Sequence, residues 1–175
     1  MKRFHLAVAA LSLLAQPALA ATKQRWQAQA IKNVVCVLTV DAWEGPLGTH
    51  VMFMVPAPSQ GSGAPMTLST HISDTGLEPP LPLDGFTVSV QSAAISAPLS
   101  LTEDSIHIHK SHSDELLRLY AALKRGEKML IHAVSAKREL NFPIEAAGSS
   151  EARATFEACV AETAPDFKIA ELALL

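Results

Sequence analysis

Apolar and polar residues alternate with a period of two over much of the first two thirds of the chain, then shift to a helical period near its end. Residues 33–40 (NVVCVLTV) are rich in β-branched side chains and read as a buried strand. Residues 50–55 (HVMFMV) are apolar on both faces, as a central strand would be, and Pro56 ends them. Residues 66–72 place Met66, Leu68, Thr70 and Ile72 on one face. Residues 86–91 turn Phe86, Val88 and Val90 inward against Thr87, Ser89 and Gln91. Residues 95–101 make a weaker strand interrupted by Pro98, and residues 105–109 alternate again around Ile106 and Ile108. Residues 21–32 (ATKQRWQAQAIK) are mostly polar with one large anchor, Trp26, which suggests an irregular lead-in or a short helix.

The helical period begins after Ser111, a capping residue with Asp114 three positions on. Leu116, Leu117, Leu119, Tyr120 and Leu123 form an apolar stripe. Lys124 and Arg125 complement the dipole in the last turn, and Gly126 suits a left-handed stop. Residues 128–135 and 139–146 read as a hairpin turning near residues 136–138. Leu140, Phe142 and Ile144 share a face there, and Pro143 marks an edge strand. A second helix follows, capped by Ser149 or Ser150, with Ala152, Phe156, Cys159 and Val160 along one side and Pro165 at its end. Residues 167–174 form a short apolar tail. This order gives six to eight strands and a helix–hairpin–helix, with no internal repeat and no βαβ alternation. The expected fold is mainly β (α+β), an antiparallel β-sandwich or partly closed barrel with two helices packed on it.

The start of the chain has a different pattern. Lys2 and Arg3 precede an apolar run over residues 4–15, Gln16 and Pro17 break it, and Ala18, Leu19 and Ala20 present small residues. This reads as a secretory signal peptide cleaved after Ala20. The apolar run is shorter than the roughly 20 residues a spanning helix needs, and Ala21 stands where a lipoprotein carries Cys. Residues 21–175 are then expected as a single β-rich domain, periplasmic or secreted, without stable membrane insertion.

Charge narrows the partners. The chain holds 14 Lys+Arg and 17 Asp+Glu; Lys2 and Arg3 belong to the signal segment, so 12 face 17 in the remainder. Nothing clusters the cations, which argues against nucleic acid as a partner. Cys36 and Cys159 are the two cysteines, and in an exported chain they are expected to pair. No Cys-x-x-Cys redox motif occurs.

Candidate chemistry is sparse. His107 and His109 would project from one strand face about 7 Å apart, and His112 follows at the start of the helix. Such a set can hold zinc or copper, with His50, His71 or His132 as a further ligand; the competing reading is a solvated strand face. Met52 and Met54 also share a face and could ligate Cu(I), although the apolar residues around them fit a buried strand with Met as filler. No Gly-x-Ser-x-Gly elbow selects a nucleophile, and Glu103, Asp104, Asp114 and Glu115 read as surface or helix-start charges. Trp26 and Trp43 are candidate contact anchors. Trp43 stands just before the turn at Glu44, Gly45 and Pro46, where a lid over one end of the sandwich is the alternative.

Residues 112–160 resemble small periplasmic proteins of the invasion-associated locus B type. The likeness rests on Leu116 and Leu117, the run Leu123, Lys124, Arg125, Gly126, the strand Leu140, Asn141, Phe142, Pro143, Ile144, then Gly148, and Ala152 through Phe156. The long Pro-rich loops of the first half and its single early cysteine depart from that pattern. The resemblance implies an exported, β-rich, non-enzymatic envelope protein linked to host interaction or virulence, and it transfers no catalytic residues.

These readings converge on an accessory or binding protein of the bacterial envelope, not an enzyme. It would contact another envelope or secreted protein, in secretion, immunity or inhibition, or host interaction, through loops 57–65 and 73–85. A metal-binding envelope protein using His107, His109 and His112, and a small periplasmic hydrolase, are the alternatives. No cofactor is expected outside the first of these.

Overall fold

The computed structural model describes residues 23–44, 46–58, 66–74, 87–101, 105–106, 110–136, 138–167 and 169. Residues 23–31 do not form an irregular lead-in or helix. They are the first strand, β1 (Lys23–Ile31). Gln24, Trp26 and Ala28 are half-buried while Arg25, Gln27 and Gln29 are exposed, so the period is two. Glutamines on both faces hide that period from a hydropathy reading. A turn over residues 32–34, with Asn33 at φ 60°, leads into β2 (Val35–Glu44). Asn is among the non-glycine residues that tolerate this left-handed conformation.

β2 pairs antiparallel with β3 (Leu47–Pro56), which pairs with β4 (Thr67–Asp74), which pairs with β7 (Ser105–Ile106). The first sheet therefore runs β1-β2-β3-β4-β7. The second is built from β5 (Thr87–Gln91), β6 (Leu99–Leu101), β8 (Met129–Val134) and β9 (Glu139–Ile144), in the order β6-β5-β8-β9. The described residues hold nine strands, above the expected six to eight, and β1 is the addition. The strand foreseen over 95–101 shortens to β6, with Pro98 just before it, and Ile95 instead closes a turn on Ser92.

Two helices pack against the sheets: α1 (Lys110–Lys124) and α2 (Ser150–Thr163). The result is the expected antiparallel, sandwich-like α+β arrangement. No helix among the described residues is long and apolar enough to cross a membrane.

The period-two pattern builds the core. In register, Ala28, Leu38, Phe53, Leu68 and Ile106 form one row across all five strands of the first sheet. Leu38, Phe53 and Leu68 are fully buried, as are Val90, Ile131 and Phe142 from the facing sheet. Thr49 and Thr70 also face inward. Their hydroxyls satisfy each other at 2.9 Å, which removes the cost of burying them alone.

α1 ends as its sequence signals. Gly126 has φ 87°, Gly126 N–H donates to Leu123 O, and Glu127 N–H donates to Ala122 O, the paired bonds of a Schellman stop. Its start differs from expectation. The helix begins at Lys110, so Ser111 lies inside the first turn rather than capping it. Ser149 occupies the position before α2 but does not cap it with its side chain. Its hydroxyl donates to Ala146 O (2.6 Å) and accepts from Arg153 Nε (2.9 Å).

Tyr120 joins the two helices to the sheet. Its ring meets Phe53 edge-on at 5.9 Å and Phe156 at 5.8 Å. Its hydroxyl donates to Glu157 Oε1, which also pairs with Lys124 Nζ at 3.1 Å. Burial raises the Tyr120 pKa far above the usual phenol range, and the Glu157 charge and hydrogen bond add to it.

Cys36 and Cys159 are bonded, with Cα atoms 5.8 Å apart and 123 residues between them in sequence. Cys36 lies on β2, on the face of Leu38, Val40 and Ala42. Beyond α2, Phe167 packs against the core and Ile169 is buried in it, so the start of the apolar tail docks on its own domain.

Candidate interaction surface

Reversing the core rows gives the outer face of the first sheet. Arg25, Asp41, His50 and His71 stand in one row across β1, β2, β3 and β4. The next row on one side holds Trp43, Gly48 and Ser73; the next on the other holds Gln27, Thr39, Met52 and Ser69. Beyond that come Val37, Met54 and Thr67. The face is therefore mixed: charged and imidazole groups in the middle, an indole at one end and thioethers at the other.

Trp43 lies on this face, not over the end of the sandwich. A Cβ built on Gly48 would stand 3.0 Å from Trp43 Cδ1, 3.1 Å from its Nε1 and 3.1 Å from Ser73 Oγ. The indole thus packs closely over the Gly48 backbone, where an added Cβ would press against the ring. The ring stays half-buried, supported by the sheet below and open above.

His50 Nδ1 meets Asp41 Oδ1 at 2.5 Å, with side chains 41% and 28% exposed. The carboxylate orients the imidazole and leaves Nε2 as the nitrogen it does not hold. His71 lies directly across from His50 on β4. Such a row offers directional hydrogen bonding at the centre of a partly apolar face. Among the described residues, no group of three His, Cys, Asp or Glu side chains is arranged to hold a metal ion.

His107 and His109 lie outside the described residues. His112 falls in the first turn of α1, and its side chain is not described. His132 is remote from the His50 and His71 pair. It lies on the outer face of the other sheet, where Nε2 pairs with Glu139 Oε1 at 3.1 Å and Nδ1 lies 3.5 Å from Gln91 Nε2. Met52 lies in the row beside Asp41 and Met54 one row further on, both half-buried on the outer face rather than in the core. Of loops 57–65 and 73–85, only residues 57, 58, 73 and 74 are described. A shallow cavity of about 180 Å³ at Gln91, Ser92 and residues 95–98 is smaller than a typical small-molecule site.

Trp26, the other candidate anchor, is turned inward and packs against the core. Its Nε1 donates to Glu145 O at 3.1 Å, beside the end of β9. Gln24 completes the seam, donating from Nε2 to Pro143 O (2.6 Å) and accepting from Glu145 N–H (2.9 Å). Two side chains of β1 thereby satisfy the outward backbone groups at the end of β9. The Asp41–His50 contact and the Gln24 seam were not readable in advance. Each joins residues whose proximity depends on strand register or sheet packing.

No family model matches the chain, and neither the curated proteins nor the solved structures yield a match.

Proposed function

We propose that this chain is an exported, non-enzymatic binding protein that meets another envelope or secreted protein through the outer face of its five-stranded sheet, with Trp43 as the anchor. The carrying observation is the seat of Trp43. Its indole rests on Gly48 beside Ser73, and the Asp41–His50 pair lies in the neighbouring row. A rigid, half-buried aromatic flanked by polar groups is the make-up of an interface hot spot. Export is supported by the Cys36–Cys159 bond, which persists in oxidising compartments, and by the signal-like pattern of residues 1–20. The secretion, immunity and host-interaction roles share this reading, and the likeness of residues 112–160 to the locus B type agrees with it.

Site-specific photocrosslinking tests the surface. A crosslinking residue at position 43 should capture a partner from envelope or secreted fractions, and one at Ser89, on the outer face of the opposite sheet, should not. Equal capture from both positions, or full partner recovery by a folded Trp43→Ala protein, would remove the assignment.

A further inference from the structure

The four sheet edges are not protected alike. β7 has two residues and β6 three, too short to template a strand. β9 carries Pro143, which lacks a donor, and its outward groups at Pro143 and Glu145 are taken by Gln24 and Trp26. β1 has nine residues and neither Pro nor Gly, and pairs on one side only among the described residues.

Which of its backbone groups point outward follows from a proline. Val35 of β2 stands opposite Pro56, which cannot donate, and the neighbouring Ala57 N–H donates to Val34 O at 2.8 Å. Antiparallel ladders alternate. Cys36, Leu38 and Val40 therefore bond toward β3, and Val37, Thr39 and Asp41 toward β1. Their partners Gln29, Gln27 and Arg25 face β2. The N–H and C=O groups of Gln24, Trp26, Ala28 and Ala30 face away. β9 lies closer to β2 than to β1, and α2, which packs on both β1 and β2, is held over their inner face by the bond from Cys159 to the inward Cys36, so neither element pairs with this edge. Ala30, Gln27, Gln29 and Ile31 are all exposed along the edge.

We propose that β1 is a homodimerisation edge: two copies of this chain pair β1 to β1, antiparallel, with Gln27 on the two-fold axis. The sequence of the strand selects this occupant and this register. With the axis at Gln27, all nine residues overlap, and the outward-bonding set pairs with itself, Gln24 with Ala30 and Trp26 with Ala28 of the second copy. Roughly eight backbone hydrogen bonds result. Each large inner side chain meets an alanine. Arg25 faces Gln29 and Lys23 faces Ile31, so within the strand no cation stands directly opposite another. An axis at Trp26 would set Trp26 against itself. An axis at Ala28 would run Gln24 past the strand, against Lys32 in the turn. The joined sheets would form one ten-stranded sheet across the dimer. The contact is small on the scale of stable interfaces, so association is reversible, with a Kd of about 10–100 μM.

Sedimentation equilibrium of the purified disulfide-bonded protein, from micromolar to millimolar concentration, reads the dimer. Ala28→Pro deletes an outward N–H and should weaken it at least about tenfold while leaving the β1–β2 ladder intact. Gln29→Lys, at an exposed side chain, keeps the fold should the proline variant lose it. The introduced ammonium opposes Arg25 of the second copy, twice across the axis, and should weaken association about tenfold. Adding Arg25→Glu to Gln29→Lys should restore it. Gln27→Cys should crosslink to itself on oxidation and Arg25→Cys should not. Trp43→Ala should leave the dimer unchanged, which separates this edge from the proposed partner face. A wild-type chain monomeric throughout overturns the proposal. So does a dimer indifferent to both edge variants, or an edge that pairs only with an extended segment of another protein.

Discussion

The inner and outer faces of the five-stranded sheet are made from the same strands, one residue out of step, yet they obey different rules. On the inner face Cys36, Leu38, Val40, Val51 and Phe53 are fully buried, and their neighbours are apolar or a matched pair of threonines. On the outer face Asp41, Trp43, His50 and Met52 alternate with them and stay half-buried. Close packing dictates the first set, because interior volume must be filled without voids. Packing constrains the second set less, and its content, an indole on a glycine seat and an imidazole held by a carboxylate, is the surface on which the proposed partner contact rests. A stability measurement and a binding measurement should therefore sort the residues of one strand into two alternating classes.

The largest effect expected from that contrast is on β3. Phe53→Ala should destabilise the fold by about 3–5 kcal/mol, since it also removes the ring contact with Tyr120. Its neighbour Met52→Ala should cost less than about 1 kcal/mol. Chemical denaturation of the two proteins reads the difference, and similar midpoints would break the two-face description.

Next comes the Cys36→Ala/Cys159→Ala pair. Its bridge closes a loop of 123 residues, and its loss should cost about 2–5 kcal/mol, seen as a lowered melting temperature that dithiothreitol no longer shifts.

A smaller effect separates Tyr120 from the outer face by pH. The folded phenol has a raised pKa, whereas the unfolded one ionises near 10.0. Stability is thus unaffected by this group below about pH 10. It falls as the pH rises above that value, by up to about 1.4 kcal/mol per unit, because the unfolded chain releases the proton first. Tyr120 is the single tyrosine, so tyrosinate absorbance in alkali should appear together with loss of circular dichroism and not before it.

The smallest effect should come from Asp41→Asn. The pair with His50 is partly exposed, so the change in stability should stay below about 1 kcal/mol by thermal melting. Partner capture at position 43 should nonetheless fall if the imidazole is a recognition group.

Most elements were legible because their signals are local. The stripe from Leu116 to Leu123 and the stop at Gly126 needed only helical spacing and a residue free to adopt positive φ. The hairpin of β8 and β9 needed only period two and the turn between its arms. β1 escaped notice because Gln and Ala report neither face. Its strand state comes from pairing with β2 and from the seam that Gln24 and Trp26 make with β9. Ser149 has the sequence of a side-chain cap, but tertiary packing offers its hydroxyl the carbonyl of Ala146 and the guanidinium of Arg153 instead.

The candidate surface was less legible than the fold. Trp43 stood out as a large aromatic near a turn, but its seat depends on Gly48, which stands opposite it across a hairpin. Asp41 and His50 face each other across one hairpin, His71 joins them from the next strand, and the row forms only through two strand registers. Composition and periodicity determine which stretches become strand or helix, which side chains can be buried, and that two cysteines are available to bond. Tertiary structure alone decides which residues share a row, which backbone groups face outward, and which sheet edge stays open. Those are relations between distant segments, set by hydrogen-bond register and sheet packing, and no local pattern carries them.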